Sequence, residues 1–372
     1  MTKRMFKVDV NPEIIKWARE TAGWTIEEIA NKLKISPEVC EKIEQGIVKP
    51  TCKQIEKFAY HYRLPVFAFF LPKLPTEEPN SVLFSLLPFS EESFSKELRF
   101  SIRKARYYQY IANKIIRDLG IKPDVNISKY EIKDDPVKAA KRERKSIKIK
   151  IEDQKNWWSD QYYAFNRWRE IIEDKNILVF QFKIPVEEAR GFCLMNQIPY
   201  VIALNSNDSV LERIFTLFHE YAHLLLGITE IYNDEKIQNK EIEEWCNSFA
   251  AEFLLPSKAF ETDPDLQKIM ELKIYDDELI SKISKTYKVS KMLVIIRLKT
   301  LGIIDEKTCK EKLVELKTVL NNRKVKKEKF ARNLIKECIK EKGREFLSLL
   351  LLYRSFKGDK RYIIENLYKR VF

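Results

Sequence analysis

The chain has 372 residues, with 68 Lys and Arg against 55 Asp and Glu, a net charge of +13. Its 45% hydrophobic and 12% aromatic content excludes a disordered chain, and eight isolated glycines cannot build a GxGxxG or GxxxxGK phosphate loop. Six scattered cysteines without a CxxC pair exclude a disulfide framework, and no apolar run approaches membrane-spanning length, so a cytoplasmic location is expected.

Residues 11–62 read as a train of short helices. Asn11-Pro12 opens the first, Thr25 with Glu28 forms a capping-box pattern for the second, Ser36-Pro37 opens the third and Pro50-Thr51 the fourth. Prolines at 65, 72, 75, 79 and 88 then mark a strap. A helical pattern follows over about 92–120, and KAAKRERKSIKIK at 138–150 is a basic run. Residues 157–174 form another amphipathic helix. Three strand-like runs come next, at 176–184, 190–197 and 200–205, and the pattern is helical from 208 onward.

Charge is distributed unevenly. Residues 201–280 carry 6 basic and 17 acidic residues, whereas 281–372 carry 26 basic and 10 acidic. The acidic stretch holds two of the three histidines, His219 and His223, in an HExxH on the helix LERIFTLFHEYAHLLL, with Ser209 and Glu212 as a capping box and Gly227 as its stop. Histidines at i and i+4 share one helix face and can reach one metal ion. Glu220 between them can take a proton from water at that ion. A catalytic zinc wants a third protein ligand. No histidine follows, so a carboxylate or cysteine from 239–256 must serve. Periodicity there selects Glu243, at the edge of the apolar face, with Glu252 as runner-up and Cys246 as the weaker rival.

IFTLFHEYAHLLLG at 214–227 together with EEWCNSFAAEFLLP at 243–256 resembles the ImmA/IrrE family of metallo-endopeptidases, and the upstream NRWREIIEDKNILVFQ, ARGFCL and PYVIALN segments match it as well. The resemblance implies Zn2+ held by His219, His223 and Glu243, with Glu220 catalytic. It also implies a protein substrate, a helix-turn-helix repressor or antitoxin-like protein, cut to release the genes it silences.

Residues 11–62 are similar to the XRE-type helix-turn-helix. The resemblance implies a recognition helix beginning at Ser36-Pro37 and presenting Glu38, Glu41 and Lys42 to double-stranded DNA. With Glu44, that helix sums to −2, which suits phosphate poorly. His61 is expected to be structural. A second helix-turn-helix pattern at 275–304 is expected to serve packing, with DNA contact through Lys288, Lys291, Arg297 and Lys299 as the alternative.

The expected architecture is multidomain and mainly α. An XRE-type helix-turn-helix domain (1–74) precedes a strap and helical connector (75–156), an α+β zincin-like core with a small sheet (157–270) and a basic helical C-terminal region (271–372). The expected function is a gluzincin-like zinc endopeptidase and transcriptional regulator. The alternative is a DNA-binding regulator whose metal domain senses without cutting. A second copy of the chain is a further candidate partner, and a membrane is not.

Overall fold

The computed structural model describes residues 7–72, 82–86, 94–122, 127–157, 160–227, 235–273, 275–322 and 334–357. Pro75, Pro79 and Pro88 of the strap, and the tail beyond residue 357, lie outside these residues. The chain is mainly α-helical and separates into two compact units. The first takes in residues 7–72 and 94–104, and the second residues 82–86 and those from 105 to 356.

In the first unit the local signals for helix starts act as read. Helices α1 (Pro12–Thr21), α2 (Ile26–Leu33), α3 (Pro37–Glu44) and α4 (Cys52–Tyr62) follow one another, and a 3-10 turn runs over Val66–Phe70. Asn11 caps α1, Thr25 and Glu28 make a full capping box on α2, and Thr51 with Gln54 makes another on α4. Their apolar faces meet around Ile15, Ile29, Cys40, Ile43 and Phe58. His61 lies edge-on to Trp24 at 5.6 Å, while the Trp24 indole N–H donates to the His61 carbonyl at 3.2 Å.

The second unit is built on a four-stranded sheet. Strand β1 (Val82–Leu86) comes from within the stretch read as a strap, so the sheet has one strand more than the three legible runs. Helix α5 (Lys96–Asp118), which belongs to this unit from Ala105 onward, α6 (Pro136–Ser146), α7 (Ile151–Asn156) and α8 (Gln161–Glu173) precede β2 (Ile177–Phe182), β3 (Ala189–Leu194) and β4 (Tyr200–Asn205). The order is β1-β3-β4-β2, with β2 parallel to β4 and the other pairs antiparallel. Strands β2 and β4 are buried almost throughout, which explains their unbroken Val, Ile and Phe runs.

Helices α9 (Val210–Leu226), α10 (Glu235–Leu254), α11 (Ser257–Thr262), α12 (Pro264–Leu272), α13 (Asp277–Tyr287), α14 (Lys291–Thr300), α15 (Glu306–Asn322), α16 (Leu334–Lys342) and α17 (Arg344–Lys357) complete the unit. An aromatic seam joins α8, α9 and α10: Phe218 stacks on Phe253 at 4.2 Å, and Trp168 meets Phe218 edge-on at 5.0 Å. Large rings of this kind each bury considerable apolar area and leave few rotamers, so the seam fixes how α9 faces α10.

Two buried polar devices hold helices whose role was not legible from sequence. Within the basic run at 138–150, Arg144 is buried and donates to the Phe253 carbonyl at 2.6 Å. Gln154 donates to the Leu254 carbonyl at 2.9 Å and Arg297 Nε to the Leu255 carbonyl at 2.9 Å. Three consecutive carbonyls at the end of α10 are therefore satisfied by side chains, two of them cationic, as a helix C-terminus favours.

The second device is the buried pair Arg169–Glu173, with Nε to Oε1 at 3.0 Å. Arg169 donates to the Lys340 carbonyl at the end of α16, while Glu173 accepts the backbone N–H groups of Arg344 and Glu345 at the start of α17. Each charge thus meets the helix end of opposite polarity. Gly343 stands between these helices at φ +77°. A Cβ there would fall on the Glu173 carboxylate and 2.7 Å from Arg169 Nη2, so both the turn and the pair require glycine.

Candidate metal centre

Helix α9 starts at Ser209, whose side chain accepts the Glu212 N–H at 3.2 Å, and stops at Gly227 in the left-handed conformation. The reciprocal half of the expected capping box is replaced: Glu212 pairs with Arg190 at 3.1 Å. Between these ends, His219 and His223 project from one face toward α10, as their spacing requires. The aromatic seam brings Glu243 of α10 to that face. Glu243 Oε2 lies 3.2 Å from His219 Nε2, and its Oε1 lies 3.2 Å from His223 Nε2. The two Nε2 atoms are 3.1 Å apart. Among the described residues these three side chains form the cluster of potential metal ligands.

The donor set fits a zinc ion. Tetrahedral N and O ligands at about 2.0–2.1 Å from zinc stand about 3.3 Å from one another, close to the separations found. Burial alone would lower the His219 pKa and raise that of Glu243. The contacts between them win: the Glu243 carboxylate, with Glu220 and Asn247, holds the His219 imidazole above its ordinary value, and the two imidazoles hold Glu243 down to about 2. These opposite shifts follow from the close contact of carboxylate and imidazoles. His219 Nδ1 lies 3.1 Å from Asn247 Oδ1. That contact places the ring proton on Nδ1 and leaves the Nε2 lone pair facing Glu243 and His223, the usual arrangement around a ligating histidine.

Glu220 is wholly buried, between α9 and strand β3. A Cβ built on Gly191 would lie 3.2 Å from Glu220 Oε1, 3.0 Å from the Ala203 carbonyl and 2.6 Å from Thr216 Cγ2. Gly191 is therefore the close-approach point that lets α9 lie on the sheet with Glu220 beneath it. An isolated glycine inside a strand-like run is the sequence signal for such a site. Gly191→Ala is expected to cost about 1–3 kcal/mol in urea unfolding, through overpacking. Adding Thr216→Ser, which removes the clashing methyl, should recover part of the loss. A Gly191→Ala protein as stable as wild type would show that α9 can shift freely.

The rival third ligands lie elsewhere. Glu252 is buried in an ion pair with Arg297 and accepts the Ser257 hydroxyl at 2.6 Å. Cys246 is buried in the core, and burial, reinforced by Glu243 and Glu220, pushes its thiol well above its ordinary pKa. Tyr221 points away from the cluster and donates to buried Glu143 at 2.8 Å. The pairing of Arg297 also corrects the alternative for 275–304. Of the four cations considered for a DNA contact there, Arg297 is committed to the interior, because a buried Glu252 requires it.

On the helix-turn-helix unit, Ser36, Pro37, Glu38, Glu41 and Lys42 are all exposed along α3. Glu44 is not with them. It is nearly buried and accepts two hydrogen bonds from Arg19, at 2.8 and 3.1 Å. A parallel two-point contact of this kind ties α3 to α1 and removes one negative charge from the outer face, which is less acidic than the sequence sum implied.

Comparison with known proteins agrees with these two regions. Residues 172–299 match the M78 peptidase family model described as the IrrE N-terminal-like domain, and residues 14–50 match a model described as a helix-turn-helix domain. The chain joins an IrrE-like domain to an amino-terminal helix-turn-helix. No curated protein and no solved structure gives a significant match. The IrrE-like match runs from the end of α8 through β2, β3, β4, α9 and α10 to α14, so it contains the His219, His223 and Glu243 cluster and Arg297. No helix among the described residues is long and apolar enough to cross a membrane.

Proposed function

We propose that the chain is a zinc endopeptidase and transcriptional regulator that cleaves a helix-turn-helix repressor or antitoxin-like protein to derepress genes. The observation that carries this reading is the convergence of His219, His223 and Glu243 beside buried Glu220, within the peptidase-like domain. His219, His223 and Glu243 would hold the ion. Zinc bound there would polarise a scissile carbonyl and lower the pKa of water. Glu220 takes the proton from the attacking water and passes it to the leaving amine, and its buried setting keeps that proton from bulk solvent. Asn247 fixes the His219 tautomer. The amino-terminal unit supplies the link to transcription, with Ser36, Pro37, Glu38, Glu41 and Lys42 as the face offered to a DNA major groove.

The test is direct. The purified full chain, loaded with zinc, is incubated with candidate helix-turn-helix repressors, and products are read by mass spectrometry alongside metal content. A stoichiometric zinc that His223→Ala abolishes, together with a defined cut in one repressor, is the expected result. Zinc retained without cleavage of any candidate would favour the non-catalytic sensor, and no zinc under metal-replete conditions would end both readings. For the amino-terminal unit, a salt-dependent DNA shift weakened by Lys42→Glu is expected.

A further inference from the structure

A cavity of about 330 Å3 opens between α8, β2, the first turn of α9 and the corner joining α16 to α17. That volume falls within the range of small-molecule sites. Four cations line it, Arg169, Arg213, Lys340 and Arg344, against two carboxylates, Glu170 and Glu173. Both carboxylates are engaged, Glu173 by Arg169 and Glu170 by Arg344 and Arg167.

Arg213 is left in an unusual position. It is only 4% exposed, yet among the described residues no carboxylate stands within ion-pair distance of its guanidinium, and Asp208 attracts it only from farther away. It donates to the neutral Gln181 amide and lies over the Phe165 ring at 5.3 Å, while its Nε has no hydrogen-bond partner. The acids nearest it in sequence, Asp208 and Glu212, are both held by Arg190. Arg213 also occupies the first turn of α9, where the helix dipole disfavours a cation. A buried charge without a close counter-ion is unfavourable, and here two separate effects oppose it. Both are relieved by one change, an anion in the cavity.

We propose that this cavity binds a small organic anion, a carboxylate or phosphate borne on an aromatic or apolar body. Arg213 is the anchor, exposed Lys340 supplies a second charge, and Phe165 and Tyr162 lie against the body. The site is separate from the metal cluster, and its existence does not depend on proteolysis. Because Arg213 shares a helix with His219 and His223, an occupied site braces the element that carries the metal ligands.

The test measures melting of the full chain with benzoate, phenyl phosphate or neutral phenol at constant ionic strength. One or both anions should raise the melting temperature saturably by about 2–4 °C, while phenol does not. The benzoate and phenyl phosphate arms identify the preferred anion. Arg213→Met should fold, since an apolar side chain replaces a charge without a close counter-ion, and should lose the response. Lys340→Glu, on an exposed side chain, should weaken anion affinity at least tenfold and leave the unliganded melting temperature unchanged. The proposal is overturned if neither anion shifts the melting temperature. It is equally overturned if both variants respond as wild type does.

Discussion

Glu220→Gln is expected to abolish repressor cleavage while leaving zinc content and melting temperature at wild-type values. Glutamine keeps the shape of the side chain where Glu220 lies close to Gly191, so packing survives. It cannot accept and return a proton. A positioned general base contributes about 10²–10⁴-fold, and a loss of that size in kcat, with KM little changed, is the expected signature. Glu220 is not among the cluster of His219, His223 and Glu243, so metal should be retained. A Glu220→Gln protein that still cuts at more than a tenth of the wild-type rate would remove Glu220 from the chemistry. Loss of zinc in the same variant would instead make it a ligand.

Arg297→Ala is expected to produce the largest loss of stability. Its removal leaves Glu252, 1% exposed, without its charge partner, and deprives the Leu255 carbonyl of a donor. Breaking a buried pair from one side costs about 3–5 kcal/mol. At about 2–4 °C per kcal/mol for a unit of this size, melting should fall by about 10 °C. The cost belongs mainly to the stranded carboxylate, so Arg297→Met combined with Glu252→Leu should recover much of it. Equal melting of Arg297→Ala and wild type would mean that Glu252 finds another partner, of which Lys141 at 3.9 Å is the nearest. The consequence reaches function because α10, whose end this device caps, carries Glu243 and Asn247.

The sequence carried the local part of this protein well. Asn11, Thr25 with Glu28, and Ser209 each start a helix where their side-chain chemistry allows it, and the i, i+4 spacing of His219 and His223 commits both to one face. These are short-range rules, enforced within one or two turns. The same rules put Glu243 at the edge of the apolar face of α10, because a wheel reports direction, and that edge lies against His219 and His223. They did not show that Glu252 points to a buried arginine instead, since its partner lies 45 residues away.

The missed features share that cause. Strand β1 was hidden in a proline-rich stretch because a strand at the edge of a sheet is defined by its pairing with β3. Arg144 stood in sequence as one member of a basic run, and its buried contact with the Phe253 carbonyl of α10 is a long-range one. Glu44 counted toward an acidic recognition surface until Arg19 was found to hold it.

The opening figure of +13 illustrates the division. Composition and spacing by themselves determined a mainly helical chain with a helix-turn-helix start and an HExxH helix in its acidic stretch. Tertiary structure decided which charges face solvent. It pairs Arg297 and Arg169 with buried carboxylates, sets Arg144 on a helix end and, among the described residues, leaves Arg213 buried with no carboxylate at ion-pair distance. Net charge is additive along a sequence, whereas the energy of a charge depends on burial and on partners that only the fold brings within reach.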